Sequence, residues 1–137
     1  PYHPNMVLGS TQSGYIVQWD IRAKSTPVQK SILAKDGHQY PIYSMAVVGT
    51  KNANNIISIS NDSKVCQWHQ GELSNPKMSF SLFKYAQNQG VSNQIDQMKI
   101  NVNTMEFPEE ETDKFYVGAE DNNIYQANLH SANSKEQ

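Results

Sequence analysis

Three stretches of the chain lie over one another without a gap: residues 7–19 (VLGSTQSGYIVQW), 56–68 (IISISNDSKVCQW) and 115–127 (FYVGAEDNNIYQA). Each is an apolar run, a short polar turn and a second apolar run. Such a repeat constrains the fold more than any bulk property. Each copy is one supersecondary unit that cannot bury its own faces and must stack on the next copy. The copies are offset by 49 positions (Val7 to Ile56) and 59 positions (Ile56 to Phe115). Most of the extra length in the second interval falls in a Gln/Asn-rich stretch, 85–97 (YAQNQGVSNQIDQ), and in an acidic turn, 106–113 (EFPEEETD).

Outside the repeats the pattern is the same. Runs rich in Val, Ile, Tyr and Phe alternate with turn clusters, and helical periodicity is nearly absent. Strands are expected at 6–10, 15–20, 28–33, 42–48, 55–60, 64–68, 78–84, 98–107, 115–118 and 123–129. Strand after strand with polar turns indicates an all-β sandwich, barrel or propeller. A repeat near ~40–45 residues ending in Trp-Asp is the mark of a WD-repeat blade of four strands. The expected fold is therefore all-β: a WD-repeat β-propeller fragment of about two and a half four-stranded blades. Residues 1–35 form a partial blade that opens on its second and third strands, reaches Trp19-Asp20 and ends with the outer strand. Residues 36–84 form a complete blade, 85–97 a polar loop, 98–130 three strands of the next blade and 131–137 a polar tail. A closed propeller has ~4–8 blades. These residues alone are expected to leave two blade faces raw and to be stable only within a longer chain or a complex.

Charge narrows the partners. The chain carries 11 basic and 13 acidic residues, and Arg22 is its one arginine. Phosphate binding needs a clustered basic face, so nucleic acid is not an expected partner, nor is an anionic membrane surface. No apolar run approaches the roughly 18 residues of a membrane span, so no membrane insertion is expected. Residues 1–5 have neither the basic nor the apolar region of a signal peptide. Cys66 is the single cysteine, which precludes an internal disulfide and suits a reducing compartment.

His38, Ser58 and Asp62 invite a hydrolase reading, but their spacing opposes it. Ser58 lies mid-strand with no glycine-flanked nucleophile elbow, and Asp62 follows four residues later in a tight turn. With Trp68 they make a WD-repeat structural tetrad. Asp62 accepts from His38, His38 reaches the Ser58 hydroxyl, and Ser58 accepts from the Trp68 indole, so each buried polar group has a partner. The first repeat carries Gly9, Ser13 and Trp19 at the matching positions, and the third carries Val117, Asp121 and Ala127. No catalytic, cofactor-binding or metal site is expected, and no small-molecule substrate. His3, His69 and His130 are scattered, and one cysteine completes no zinc-type spacing. Glu106, Glu109, Glu110, Glu111 and Asp113 read as a solvated turn, with a docking patch for a basic partner as the sharper alternative. No glycine-rich phosphate loop is present.

Several phrases go beyond a generic repeat. They are IVQWDIRAKSTPVQK (16–30), PIYSMAVVGTKNANNIISIS (41–60), TMEFP (104–108) and FYVGAEDNNIYQANLH (115–130). The chain resembles the cytoplasmic dynein intermediate chain family from about His3 to Ser131. It departs from the WD pattern where His69 replaces Asp after Trp68, where Ser63 and Asn122 occupy glycine-favouring turn positions, and where Ala127 replaces Trp. The resemblance implies a non-catalytic scaffold subunit of a microtubule motor, cytoplasmic and microtubule-associated, whose propeller docks on the dynein heavy chain. It implies light chains and dynactin as partners through an upstream segment that these residues do not include. An axonemal or intraflagellar intermediate chain, with a ciliary location, is the alternative within the family. A WD-repeat adaptor of another complex is the alternative outside it, because a fold by itself does not fix a function.

Overall fold

In the middle repeat, odd and even positions are both apolar or small, so the strands that carry it must be covered on both faces. A computed structural model, which describes residues 1–23, 25–33, 36–86 and 96–130, places them between two other sheets. Among the described residues every regular element is a β-strand.

The strands are β1 Met6–Ser10, β2 Ile16–Asp20, β3 Gln29–Lys30, β4 Ile42–Thr50, β5 Ala53–Ser60, β6 Lys64–His69, β7 Met78–Ser81, β8 Phe83–Ala86, β9 Asp96–Lys99, β10 Val102–Glu106, β11 Lys114–Ala119 and β12 Ile124–Asn128. They pair antiparallel in sequence order as β1-β2-β3, β4-β5-β6-β7 and β10-β11-β12, with β8-β9 as a separate two-stranded ribbon. None of these sheets closes into a barrel. The middle one has the four-strand up-and-down order of a propeller blade.

The repeat is visible in backbone detail. Gly14, Ser63 and Asn122, spaced by 49 and 59, sit in the turns between the repeated strands, and all three have positive φ, 87°, 68° and 64°. A Cβ on Gly14 would come within 2.8 Å of the His38 carbonyl oxygen, so glycine lets this turn close onto the segment that enters the middle sheet. The register shifts between Ile42 and Ser44 in β4, and again between Val102 and Thr104 in β10. A β-bulge thus opens both of these sheets at corresponding places.

Two cores flank the middle sheet. Toward the third sheet, Ile57, Ile59 and Val65 pack with Val102, Met105, Phe115 and Val117. Toward the first, Ile56, Cys66 and Trp68 pack with Ile16, Ile42 and Leu73. Phe107 stacks on Phe115 at 5.2 Å between ring centres.

Four expectations change. The strand expected at 78–84 breaks at Leu82, whose N–H donates to Ser63 O (3.0 Å) and whose carbonyl accepts from the Ser63 hydroxyl (2.9 Å). That clamp ends β7, and the chain leaves the sheet as β8. The strand expected at 98–107 breaks at Ile100 and Asn101, where Ile100 turns into the core and the Asn101 carbonyl accepts from Glu120 N–H (2.9 Å). The loop expected over 85–97 is strand at both ends, because Tyr85 pairs with Gln97 and Ala86 with Asp96; residues 87–95 lie outside the described set. The expected tail, 131–137, lies outside it too. The outer strand expected at 28–33 is hydrogen-bonded as strand only at Gln29–Lys30. Ser31 extends the contact, its N–H donating to Ile16 O and its hydroxyl accepting from Ile16 N–H, both at 2.8 Å.

Candidate functional site

β5 runs Ile56-Ile57-Ser58-Ile59-Ser60, and strand alternation sends Ile56, Ser58 and Ser60 to the face that meets the first sheet. Across the ladder, Trp68 pairs with Ile56 and Cys66 with Ser58. The segment before β4 brings His38 over this face. It is pinned by Lys64, whose ammonium donates to Gly37 O (2.8 Å), and by the Cys66 thiol, which lies 3.6 Å from Asp36 O.

The polar side chains on this face form one chain of hydrogen bonds. Trp68 Nε1–H donates to Ser58 Oγ (2.8 Å), and Ser58 Oγ lies 2.6 Å from His38 Nε2. His38 Nδ1 lies 2.9 Å from Ser60 Oγ, and the Ser60 hydroxyl donates to Asp62 Oδ1. Asp62 is therefore joined to His38 through Ser60, where direct contact was expected. Ser60 is a link that the tetrad pattern does not include; two positions after Ser58 in the strand, it shares Ser58's face.

Direction follows from the ends of this chain. An indole N–H can only donate and a carboxylate can only accept. Each hydroxyl then accepts once and donates once, Ser58 toward Nε2 and Ser60 toward Asp62. With the Ser58 proton on Nε2 at 2.6 Å rather than on the more distant Cys66 O at 3.5 Å, His38 accepts at Nε2 and donates at Nδ1, the neutral Nδ1–H tautomer. Burial acts in the same sense, pushing the His38 pKa down to about 4; the Asp62 charge opposes this shift and Lys64 adds to it. A protonated ring would donate at both nitrogens and turn the Ser58 proton to the more distant Cys66 O (3.5 Å).

His38, Ser58, Ser60 and Trp68 are each 1% exposed or less. A hydroxyl without exposed surface cannot meet a substrate, so the cluster suits cohesion between sheets. The Cys66 thiol is inert for a similar reason, since burial raises its pKa to about 12.

The other two repeats replace this cluster with apolar packing. In the first, a Cβ on Gly9 would stand 3.0 Å from Trp19 Cζ3, so the Trp19 ring occupies the space a serine would need. Ser13 is exposed. In the third, Val117 is fully buried where Ser58 stands in the middle copy. Asp121 has turned outward, accepting from Tyr125 (2.5 Å) and pairing with Lys84 (2.9 Å). Those two donors hold its carboxyl well below the usual carboxylate range.

His3 and His69 line one cleft, and His130 lies 3.0 Å from Asp113. Among the described residues no three His, Cys, Asp or Glu side chains stand together as metal ligands would. Glu106, Glu109, Glu110 and Glu111 are exposed, and Glu110 has a positive φ of 66°. Their turn borders a groove of about 420 Å³ that runs along β4.

No family model matches the chain. The crystal structure of the computationally designed Ika4 protein superposes with a TM-score of 0.50 over 92% of this chain and 86% of that one, at 16% identity, a likeness of fold alone. In sequence the chain is 38% identical over 134 residues to the cytoplasmic dynein 1 intermediate chain of Drosophila melanogaster. The match takes in 97% of this chain and 19% of that protein, so the chain is similar over almost its whole length to about a fifth of a dynein intermediate chain.

Proposed function

We propose that these residues are propeller blades of a dynein intermediate chain, a non-catalytic scaffold that docks on the dynein heavy chain for microtubule-based transport. The observation that carries this reading is the 38% identity sustained along 97% of the chain. A generic WD repeat has no reason to carry the non-periodic phrase at 41–60. In this reading residues 36–84 are one complete blade, and His38, Ser58, Ser60, Asp62 and Trp68 are its internal brace. The heavy chain meets the turns at the blade ends, where propellers present variable surface. Light chains and dynactin bind elsewhere in the full-length protein, and its location is cytoplasmic, on microtubules.

The test is affinity purification of the full-length protein from its own cells, with mass spectrometry of what accompanies it. Dynein heavy and light chains are expected to dominate. A cytoplasmic heavy chain supports the class proposed here, and an axonemal or intraflagellar one moves the protein to the ciliary class. A different complex with no dynein subunit overturns the reading and favours a WD-repeat adaptor.

A further inference from the structure

Thr26-Pro27 is the one place in the chain where Ser or Thr precedes proline. It lies between β2 and β3. On one side the chain is held by a turn, in which Ala23 N–H donates to Asp20 O (3.0 Å). On the other, Val28 N–H donates to Gln18 O (2.8 Å). Between these anchors Ser25, Thr26 and Pro27 are exposed, and among the described residues none of the three makes a hydrogen bond. Proline fixes its own φ and keeps the residue before it extended. Thr26 thus offers its hydroxyl from an extended, solvent-facing backbone, with no bond to break before another protein takes hold of it.

Two classes of protein kinase would read this stretch differently. One that recognises a cation three residues before its acceptor would choose Ser25, which follows Arg22 at that spacing. One that recognises proline directly after its acceptor would choose Thr26. The structure separates them. Arg22 is committed to Asp20: its Nε donates to Oδ1 (3.0 Å), its Nη2 to Oδ2 (2.8 Å) and its main-chain N–H to Oδ1 (2.9 Å). It also sits inside the Asp20–Ala23 turn, so the residues that precede Ser25 are bent where a kinase groove needs them extended. Pro27 is exposed and lies outside that turn.

We propose that Thr26 is a phosphorylation site, modified by a proline-directed protein kinase. The kinase's carboxylate base takes the Thr26 hydroxyl proton as Oγ1 attacks the γ-phosphorus of Mg²⁺-bound ATP. The bond from that phosphorus to the β,γ-bridging oxygen breaks, and its electron pair leaves on ADP. The phosphothreonine carries about −1.5 to −2 charge. Every described residue from 21 to 28 is exposed, so the modification changes what can bind this loop and leaves both cores intact. Whichever complex the protein serves, the acceptor is the same, so co-purification and phosphorylation succeed or fail independently.

The test is treatment of the full-length protein with Mg²⁺-ATP and purified mitogen-activated and cyclin-dependent kinases, both proline-directed. Tandem mass spectrometry locates the phosphate, and an arginine-reading kinase is run beside them. Phosphate on Thr26 from a proline-directed kinase is expected, with Pro27→Ala lowering the rate by about tenfold or more. Thr26→Ser should still accept phosphate at this position and Thr26→Ala should not. All three variants should melt at the temperature of the parent, because the loop is exposed. The proposal is overturned if neither proline-directed kinase modifies Thr26, if Ser25 takes the phosphate in its place, or if Pro27→Ala is modified as fast as the parent. A lowered melting temperature in Thr26→Ser would show that the fold holds this side chain, and would overturn its free presentation.

Discussion

At the scale of single residues, the interior of the middle sheet is governed by proton direction. Trp68 can only donate and Asp62 can only accept, so removing any link leaves a buried neighbour unpaired. Ser60→Ala should strand the His38 Nδ1–H and take from Asp62 Oδ1 its closest donor, leaving the longer contact from Lys64 N–H (3.4 Å), and is expected to cost about 1–3 kcal/mol in urea unfolding of the full-length protein. His38→Ala and Asp62→Ala should cost similar amounts, on the order of 1–3 kcal/mol. Loss-free variants would mean that the chain of bonds contributes nothing to folding. The pH dependence has a definite sign. The His38 pKa falls from 6.5 in the unfolded chain to about 4 when folded, so between these values the unfolded state binds the extra proton. Stability from this group is complete above pH 6.5 and is lost as pH falls toward 4, by on the order of 3 kcal/mol. Unfolding midpoints measured across that window should fall in the parent and flatten in His38→Gln. Asp20, held down to about 2 by Arg22, and Asp121 both titrate below this window.

Elements were legible in proportion to how fully tertiary contact follows from local pattern. The repeated β1-β2, β5-β6 and β11-β12 pairs stood out because apolar runs flank short polar turns, and all three turns carry positive φ at the same repeat position. The two strand breaks were not legible. An apolar run such as MSFSLFK reads as one strand whether it stays in a sheet or crosses to another, and the clamp between Leu82 and Ser63 depends on a partner 19 residues away. The β8-β9 ribbon mixes apolar and polar residues (FKYA and DQMK) with no common period to mark its pairing. Ser60 was legible through alternation alone, whereas the cleft lined by His3 and His69 is assembled from two sheets and has no local signature. The turn residues give a prediction at this scale. Asn122 is exposed at φ 64°, so Asn122→Gly should raise stability by a few tenths of a kcal/mol, at most about 1. Ser63→Gly relieves the same backbone but loses the hydroxyl bond to Leu82 O, so thermal melting should show it neutral or destabilising.

At the scale of the whole molecule, the repeat allows each face to be compared with its counterpart. Val65 and Ile57 of the middle sheet are fully buried against the third sheet, while the residues 59 positions on, Ile124 and Tyr116, are 78% and 43% exposed. On the other side Ile56 is fully buried and Val7, 49 positions earlier, is 49% exposed. The third sheet thus presents to solvent two positions that the middle sheet buries, and the first sheet presents one, although Val17, the counterpart of Cys66, stays 5% exposed. Large apolar groups in equivalent places are the mark of surfaces built to be covered by another unit of the same kind. If that cover is a neighbouring blade, one substitution should have opposite consequences in two settings. In the isolated 137 residues, Ile124→Glu should reduce aggregation, because it breaks an exposed apolar patch. In the full-length protein it should destabilise by about 2 kcal/mol or more, because it would bury a charge where an apolar side chain packs. Light scattering on the first and thermal melting on the second separate the outcomes. If the full-length protein tolerates Ile124→Glu as well as the isolated residues do, that face is free in the native molecule and the stacked-blade reading fails there.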